Sequence, residues 1–456
     1  MTPNNMKPPP GPLAPISFDI AKPFETKLDN GLRIVIVENR RLPIVSLRLA
    51  FDSGDIHDPR EARGITSAMA QMLTEGTANY NSRQLAERIE RFGAALSAHA
   101  SDDFTIISAS ALSLYRSELL QLMAEVTLRP TFPEEELDLY RRNTIENLKF
   151  QRSQPSFLAN EQAARLIYGN HPYAVVSPNA EDIEKLDREA LAAFRSQTLI
   201  PNNAMFIAVG DVDKDALVKE IDEMFGGWQA GEVQAPVAAD LPVRSSRTLT
   251  IVDRPGSAQS NIVLANRAIS RTDPDYFPVM VMNQVLGAGA SSRVFMNLRE
   301  EKGYTYGAYT RLNTKRLAGD LEATAEVRND VTGDSLKEFF YELERISAEP
   351  VREDEIADAQ NFLTGVFPIR AETQEGLTNL IVNQHLYGLP EDYLQTYRDK
   401  VTAVTIDDIQ RVATEYVRPA DMAIVIVGDA AQVRPQADTF ADSVEILDTE
   451  GKPKES

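Results

Sequence analysis

The chain repeats itself, and that repetition limits its architecture more than any other feature. Pro201 precedes Gly210-Asp211 by the same interval that separates Pro419 from Gly428-Asp429, and each feature is offset by 218 positions from its counterpart (201 to 419, 210 to 428). Upstream, Leu166…Tyr168-Gly169 is echoed by Leu386-Tyr387-Gly388 at a nearly equal offset. Pro and Gly punctuate elements, so three matches in register point to a tandem duplication. Each copy, of roughly 200 residues, is long enough for a core of its own.

Within the first copy, β-type runs at 32–37, 45–51, 104–110 and 205–209 alternate with helical patterns. The helical stretches are 64–73, 82–92, 118–126 and one opened by Pro133 and the acidic turn Glu134-Glu135-Glu136 that runs to about Gln151. The expected class is α+β: two tandem homologous domains, each a mixed sheet with helices packed on it, facing each other around a cavity. The division that follows is a Pro-rich tail over 1–23, a first domain over 24–228, a linker over 229–246, a second domain over 247–440 and a C-terminal tail over 441–456.

Lys and Arg number 47 against 68 Asp and Glu, a formal charge of −21. Such a surface repels phosphate backbones and anionic lipid, which argues against nucleic-acid and membrane-surface partners. With no cysteine, disulfides, thiolate metal sites and a cysteine nucleophile are excluded, while cytoplasm and periplasm both stay open. No apolar run approaches the eighteen or so residues of a membrane span, so a soluble protein is expected. The first fifteen residues are polar, contain six prolines and lack the apolar core of a secretion signal; they read as an extended, mobile tail. A signal removed upstream of them stays open.

The stretch 287–306 carries the most chemistry. A loop containing Gly287 and Gly289 leads into a short amphipathic helix with Val294 and Leu298 on its apolar face; Gly303 breaks the helix, and Tyr304 and Tyr306 alternate with small residues as in a strand. Two readings stand side by side. Arg299 pairs with Glu300 or Glu301 while the tyrosines line a core, or the Arg299 guanidinium and the Tyr306 phenol converge on one site. The four histidines, His57, His99, His171 and His385, show no i, i+3 or i, i+4 spacing, and each reads first as a solitary core or surface residue.

The two-copy layout, Gly64…Met72-Leu73…Gly76-Thr77, Gly93…Ser101-Asp102…Thr105 and Asn170-His171-Pro172-Tyr173 together resemble the pitrilysin/insulinase-type zinc peptidases, in particular mitochondrial processing peptidase and its two-subunit bacterial counterparts. The resemblance covers about residues 24 to 440. That family holds Zn²⁺ with H-x-x-E-H on a helix, the two histidines as ligands and the glutamate as general base. Here the matching positions are Ser67, Ala70 and Gln71: a hydroxyl, a methyl and an amide. Glu146 falls near the family's distal carboxylate ligand, but one carboxylate cannot hold the metal. The resemblance therefore implies a chain that binds no cofactor itself and is inactive alone.

By the same resemblance, Arg299 and Tyr306 match the family's arginine/tyrosine pair, which reaches across the cavity and stabilises the oxyanion forming at the scissile carbonyl. Gly287 and Gly289 match the glycine-bearing approach to the pair, and Ser97, Ala98 and His99 match the edge strand that pairs with substrate. The implied role is the non-metal subunit of a heterodimeric zinc endopeptidase. Its partner would be a homologous H-x-x-E-H subunit carrying the Zn²⁺, and its substrate a peptide or unfolded protein. The rival readings are a catalytically inactive scaffold, as in core subunits of a respiratory complex, and a peptide-binding protein with no hydrolytic partner.

Overall fold

The computed structural model describes residues 20, 22–236 and 239–454. Most of the N-terminal tail expected over 1–23 lies outside the described residues.

Each copy builds a six-stranded mixed sheet. In the first, Phe24–Lys27, Arg33–Glu38, Ala204–Gly210, Ile44–Phe51, Thr105–Leu112 and Ala95–Ala100 lie side by side in that order; in the second, Ser443–Leu447, Thr248–Asp253, Ala423–Gly428, Gln259–Ala268, Gly319–Arg328 and Thr305–Thr314 do the same. The repeated Pro/Gly-Asp punctuation has a structural reason. Pro201 and Pro419 open single 3₁₀ turns that feed Ala204–Gly210 and Ala423–Gly428. Each of these strands then pairs in parallel with a strand early in its own copy, Ile34 opposite Phe206 and Leu249 opposite Ile424. The runs Ile34-Val35-Ile36-Val37 and Ile424-Val425-Ile426-Val427 are buried along their whole length, as central strands covered on both faces must be. Residues 443–447, expected in a C-terminal tail, instead form the strand Ser443–Leu447, parallel to Thr248–Asp253.

One face of each sheet is covered by helices of the same copy. On the first sheet, Leu47, Leu49, Phe206 and Ile107 pack with Met69, Leu120, Met123 and Leu191; on the second, Ile262, Leu264 and Ile424 pack with Val279, Leu336, Phe339 and Val412. The opposite faces are covered by exchange. Helix Pro155–Tyr168 of the first copy lays Leu158, Ala159, Ala163 and Ile167 on Val252, Val263, Val425 and Val427 of the second sheet. Helix Gln374–Leu386 of the second copy lays Leu377, Ile381 and Val382 on Val35, Val37, Met205 and Val209 of the first. The echoed Tyr-Gly pairs sit at the ends of these two helices, where Gly169 (φ +59°) and Gly388 (φ +62°) adopt the left-handed region that terminates a helix.

The exchange is pinned by polar contacts. Gln374 Nε2 donates to the Asn39 carbonyl at 3.2 Å, and the Tyr168 hydroxyl bonds the Asp320 carboxylate. The turn joining Thr305–Thr314 to Gly319–Arg328 inserts into the first copy. There Lys315 pairs with Asp102 at 3.1 Å, the Arg316 backbone N–H donates to Asp103 at 2.9 Å and its guanidinium pairs with Asp52.

Candidate functional site

The arginine/tyrosine stretch is shaped by two backbone irregularities. Residues Gln284–Ala288 and Met296–Glu301 are π-helical, with Arg293–Phe295 leading into the second; π turns are rare and concentrate at functional sites. Gly287, expected in a loop, thus ends a helix and packs so closely on Thr310 that a Cβ there would lie 2.4 Å from the Thr310 hydroxyl. Gly289 lies in the extended turn that follows, where φ is −139°. Val294 and Leu298 are fully buried, anchoring the apolar face. The helix stops where the Gly303 N–H reaches the Arg299 carbonyl at 3.1 Å and the Tyr304 N–H the Leu298 carbonyl at 3.0 Å, with Gly303 at φ +66°.

Arg299 is found in the pairing with Glu300, and among the described residues no hydrogen bond or ring contact joins it to Tyr306. Its Nε lies 3.5 Å from Glu300 Oε1, a long, half-exposed pair of small energetic weight, and its guanidinium sits 4.9 Å above the Phe295 ring. Phe295 in turn packs against Tyr309 at 5.4 Å. Tyr306 does not line a core: it is 92% exposed. A bulge accounts for this. Val327 pairs with Thr305 and Ala325 with Ala308, so Tyr306 and Gly307 together face the single residue Glu326. The Thr305 hydroxyl locks the bulge, lying 2.7 Å from the Glu326 carbonyl and accepting from the Gly307 N–H at 3.1 Å. Bulges re-aim side chains, and this one turns the phenol away from the sheet at its open edge.

Helix Ile65–Met72, which carries Ser67, Ala70 and Gln71, begins at Gly64 (φ +85°), whose N–H is bound by Asp58 at 2.5 Å. Ser67 and Gln71 face a cavity of about 570 Å³ shared with helix Glu134–Arg152. Ala70 points the other way and is fully buried. Glu146 is not in the cavity: its side chain is 70% exposed and pairs with Lys149 at 2.6 Å. From that helix Glu136, Tyr140, Asn143, Thr144 and Asn147 are among the residues that line the cavity with Ser67 and Gln71. One residue along a helix is a rotation of about 100°, enough to turn a neighbouring side chain out of a site. Hydroxyls and carboxamides do not fit zinc, which takes imidazole, thiolate or carboxylate, and among the described residues no group of three His, Asp or Glu is placed to hold a metal ion.

Besides Glu75 and Glu136, the cavity is lined by an acid that sequence reading missed, Asp55. Asp55 accepts from the Ser67 hydroxyl at 3.1 Å; burial first, then repulsion from Asp58, pushes it up to about 7. It also lines a cavity of about 710 Å³ between the copies, together with Asp102, Arg311, Lys315 and Glu322. Glu322 is likewise pushed up to about 7, by burial and then by Asp320. No spacing rule marks Asp55, because its environment is assembled from three separate segments.

Two of the four histidines, His57 and His171, line one cavity of about 760 Å³. His57 and His171 each accept a backbone N–H through Nδ1, from Gly54 at 3.3 Å and Tyr173 at 3.2 Å, and His385 lies 3.8 Å from Glu25. His99 sits on the edge strand Ala95–Ala100, opposite Ile106, and with Ser97 it faces solvent, whereas Ala98 on the other face is half-buried.

Two family models match the chain: Insulinase (Peptidase family M16) over residues 33–175 and Peptidase M16 inactive domain over residues 185–363. The chain belongs to the M16 peptidase family. This M16 chain is 24% identical over 294 residues to the uncharacterized zinc protease YmxG of Bacillus subtilis, covering 64% of this chain and 70% of that one. It is 22% identical over 398 residues to the non-peptidase homolog YmxG of Helicobacter pylori, covering 87% and 91%. Among solved structures it resembles a peptidase M16 inactive domain from Pseudomonas fluorescens, with a TM-score of 0.84, 26% identity and coverage of 89% and 98%. As an M16 member it matches the inactive-domain model over its centre. Among the described residues no helix is long and apolar enough to cross a membrane.

Proposed function

We propose that this chain is the non-metal subunit of a two-chain zinc endopeptidase acting on peptides or small unfolded proteins. Arg299 and Tyr306 bind the scissile carbonyl of a substrate held over the partner's zinc site. The observation that carries this reading is Tyr306, a large aromatic 92% exposed on a bulge locked by Thr305. It has no hydrogen-bond partner among the described residues; Arg299, on the helix that precedes the strand, lies over the face of Phe295 and 3.5 Å from Glu300. A guanidinium carries donors only and a phenol has an O–H to donate, and together they suit an oxygen on which negative charge develops. Substrate lies extended by strand addition; on this chain we read Ser97, Ala98 and His99 of one open edge, and Gly289 in the turn after the buried Gly287, as secondary contacts.

The test is reconstitution. This chain, a sister chain bearing H-x-x-E-H, and the two mixed are assayed on a quenched peptide with zinc present. No cleavage by this chain alone, cleavage by the mixture, and severe loss with Arg299→Ala or Tyr306→Phe are expected; a mixture unaffected by those substitutions overturns the role assigned to them. The name of the Helicobacter relative, a non-peptidase homolog, favours a second reading as a scaffold or peptide-binding protein. Failure of every H-x-x-E-H sister chain to gain activity from this one supports that reading instead.

A further inference from the structure

Two buried polar atoms of the second copy have nothing to bond. The Arg293 side chain is 4% exposed. Its Nε and Nη2 hold Glu355 at 2.8 and 2.9 Å, and its Nη1 has no partner among the described residues. Asn297, four positions on, is 6% exposed. Its Nδ2 donates to Glu338 and Glu342 at 3.0 and 2.9 Å, which leaves its Oδ1 as an acceptor without a donor. The two carboxylates fix that orientation of the amide, because a flipped group would set oxygen against oxygen. Nearly all buried polar groups in folded proteins are hydrogen-bonded, so an open donor and an open acceptor call for an occupant.

Arg293 and Asn297 line one cavity of about 270 Å³. Most of the other charges around it are paired with one another: Glu342 with Arg345 at 3.5 Å, and Asp354 with Arg352 at 2.9 Å. Glu301 and Asp358, both exposed, also line it and make no ion pair among the described residues. Val285, Met296 and Ala359 supply apolar wall. The cavity therefore presents a guanidinium N–H to an anion, and an amide oxygen with two unpaired carboxylates to a cation. A molecule carrying both charges close together answers both demands. The volume lies just under the range of pockets for drug-sized ligands, roughly 300–1,000 Å³, which limits the occupant to a small molecule.

We propose that this cavity binds a free α-amino acid with a small apolar side chain. The carboxylate accepts from Arg293 Nη1, the ammonium donates to Asn297 Oδ1 in the field of Glu301 and Asp358, and the side chain lies against Val285 and Ala359. Met296, Asn297 and Glu301 belong to the π turn that carries Arg299, so the occupant touches that turn. Binding does not rest on the role proposed for Arg299. It is read on this chain alone, with no sister subunit and no substrate, so its failure and failure of the reconstitution assay are separate results.

The test is isothermal titration calorimetry of the full chain with L-valine, N-acetyl-L-valine and L-valinamide. The acetyl compound lacks the ammonium and the amide lacks the carboxylate, at similar size. A hydrogen bond to a charged group is worth roughly tenfold or more in affinity, so each analogue is expected to bind at least tenfold more weakly than L-valine. Arg293→Lys, which keeps a cation against Glu355 and removes Nη1, is expected to weaken L-valine binding at least tenfold, and Tyr306→Phe to leave it unchanged. The analogue arms need no variant and stand even if Arg293→Lys folds poorly. No saturable binding of L-valine at millimolar concentration overturns the proposal, as does either analogue binding as tightly as L-valine.

Discussion

Replacing Asp55 by Asn should uncouple the stability of this chain from pH in a way that can be worked out beforehand. An unfolded aspartate titrates near about 3.9, whereas in the folded chain burial and Asp58 push Asp55 up to about 7. The folded state therefore holds a proton that the unfolded state has already released across the interval between these values. The stabilisation from that proton is complete below about pH 4 and is lost as pH rises through about 7. Integrated from pH 5 to pH 8, the linkage amounts to about 1–3 kcal/mol for this one group. Asparagine cannot ionise, yet its Oδ1 can still accept from Ser67, which now bonds Asp55 at 3.1 Å. Thermal unfolding of the two proteins, followed by circular dichroism from pH 5 to pH 8, should give similar midpoints at pH 5 and a midpoint for Asp55→Asn that pulls ahead as pH rises. Asp58 and Glu322, pushed up to about 6 and about 7 by burial, titrate in both proteins and largely cancel from the difference. Parallel curves, or a variant that gains at pH 5 and loses at pH 8, would refute the account of a buried carboxylate without a compensating cation.

In the reconstituted mixture, Arg299→Ala and Tyr306→Phe should each lower kcat by about 10²–10³, the usual loss for one oxyanion donor, as read from saturation kinetics. Thr305→Val should cost kcat less than Tyr306→Phe, because it loosens the bulge and leaves the phenol in place; Thr305→Ser, which keeps the hydroxyl, should restore the rate. Ile381→Ala removes a fully buried side chain of the second copy from the first sheet and should cost about 2–5 kcal/mol. Trp228, which packs on Phe51 and Phe225 of the first copy at 6.0 Å each, should report that loss as an earlier fluorescence transition.

The duplication was legible because the residues that encode it, Pro201 and Pro419, Gly210 and Gly428, sit at strand ends where the backbone needs them. That Ser67 and Gln71 are poor zinc donors follows from a hydroxyl and a carboxamide whatever the fold around them. Glu146 was misplaced because a helical position is judged by rotation as well as by distance, and Asn147, one residue on, has the side chain that enters the cavity. The bulge at Tyr306 left little local mark, because it depends on the register of a partner strand twenty residues away. The strand Ser443–Leu447 was missed because its residues are exposed except at the end, so no apolar alternation advertises it. The destination of helices Pro155–Tyr168 and Gln374–Leu386 was beyond sequence reading altogether: an apolar stripe says that a surface must be covered, and not whose.

That traded cover has a consequence for what a single copy could be. One repeat made separately would keep its own helices on one face of its sheet and hold out a helix with nothing beneath it, leaving the sheet's other face bare. Both deficits vanish when two such repeats meet about a twofold axis and each lends its arm to the other. The full chain therefore has the form of a swapped dimer whose protomers have been tied end to end. Cutting it near Gly231 should release neither part, because the knot is in the folded body and the tether adds little to it.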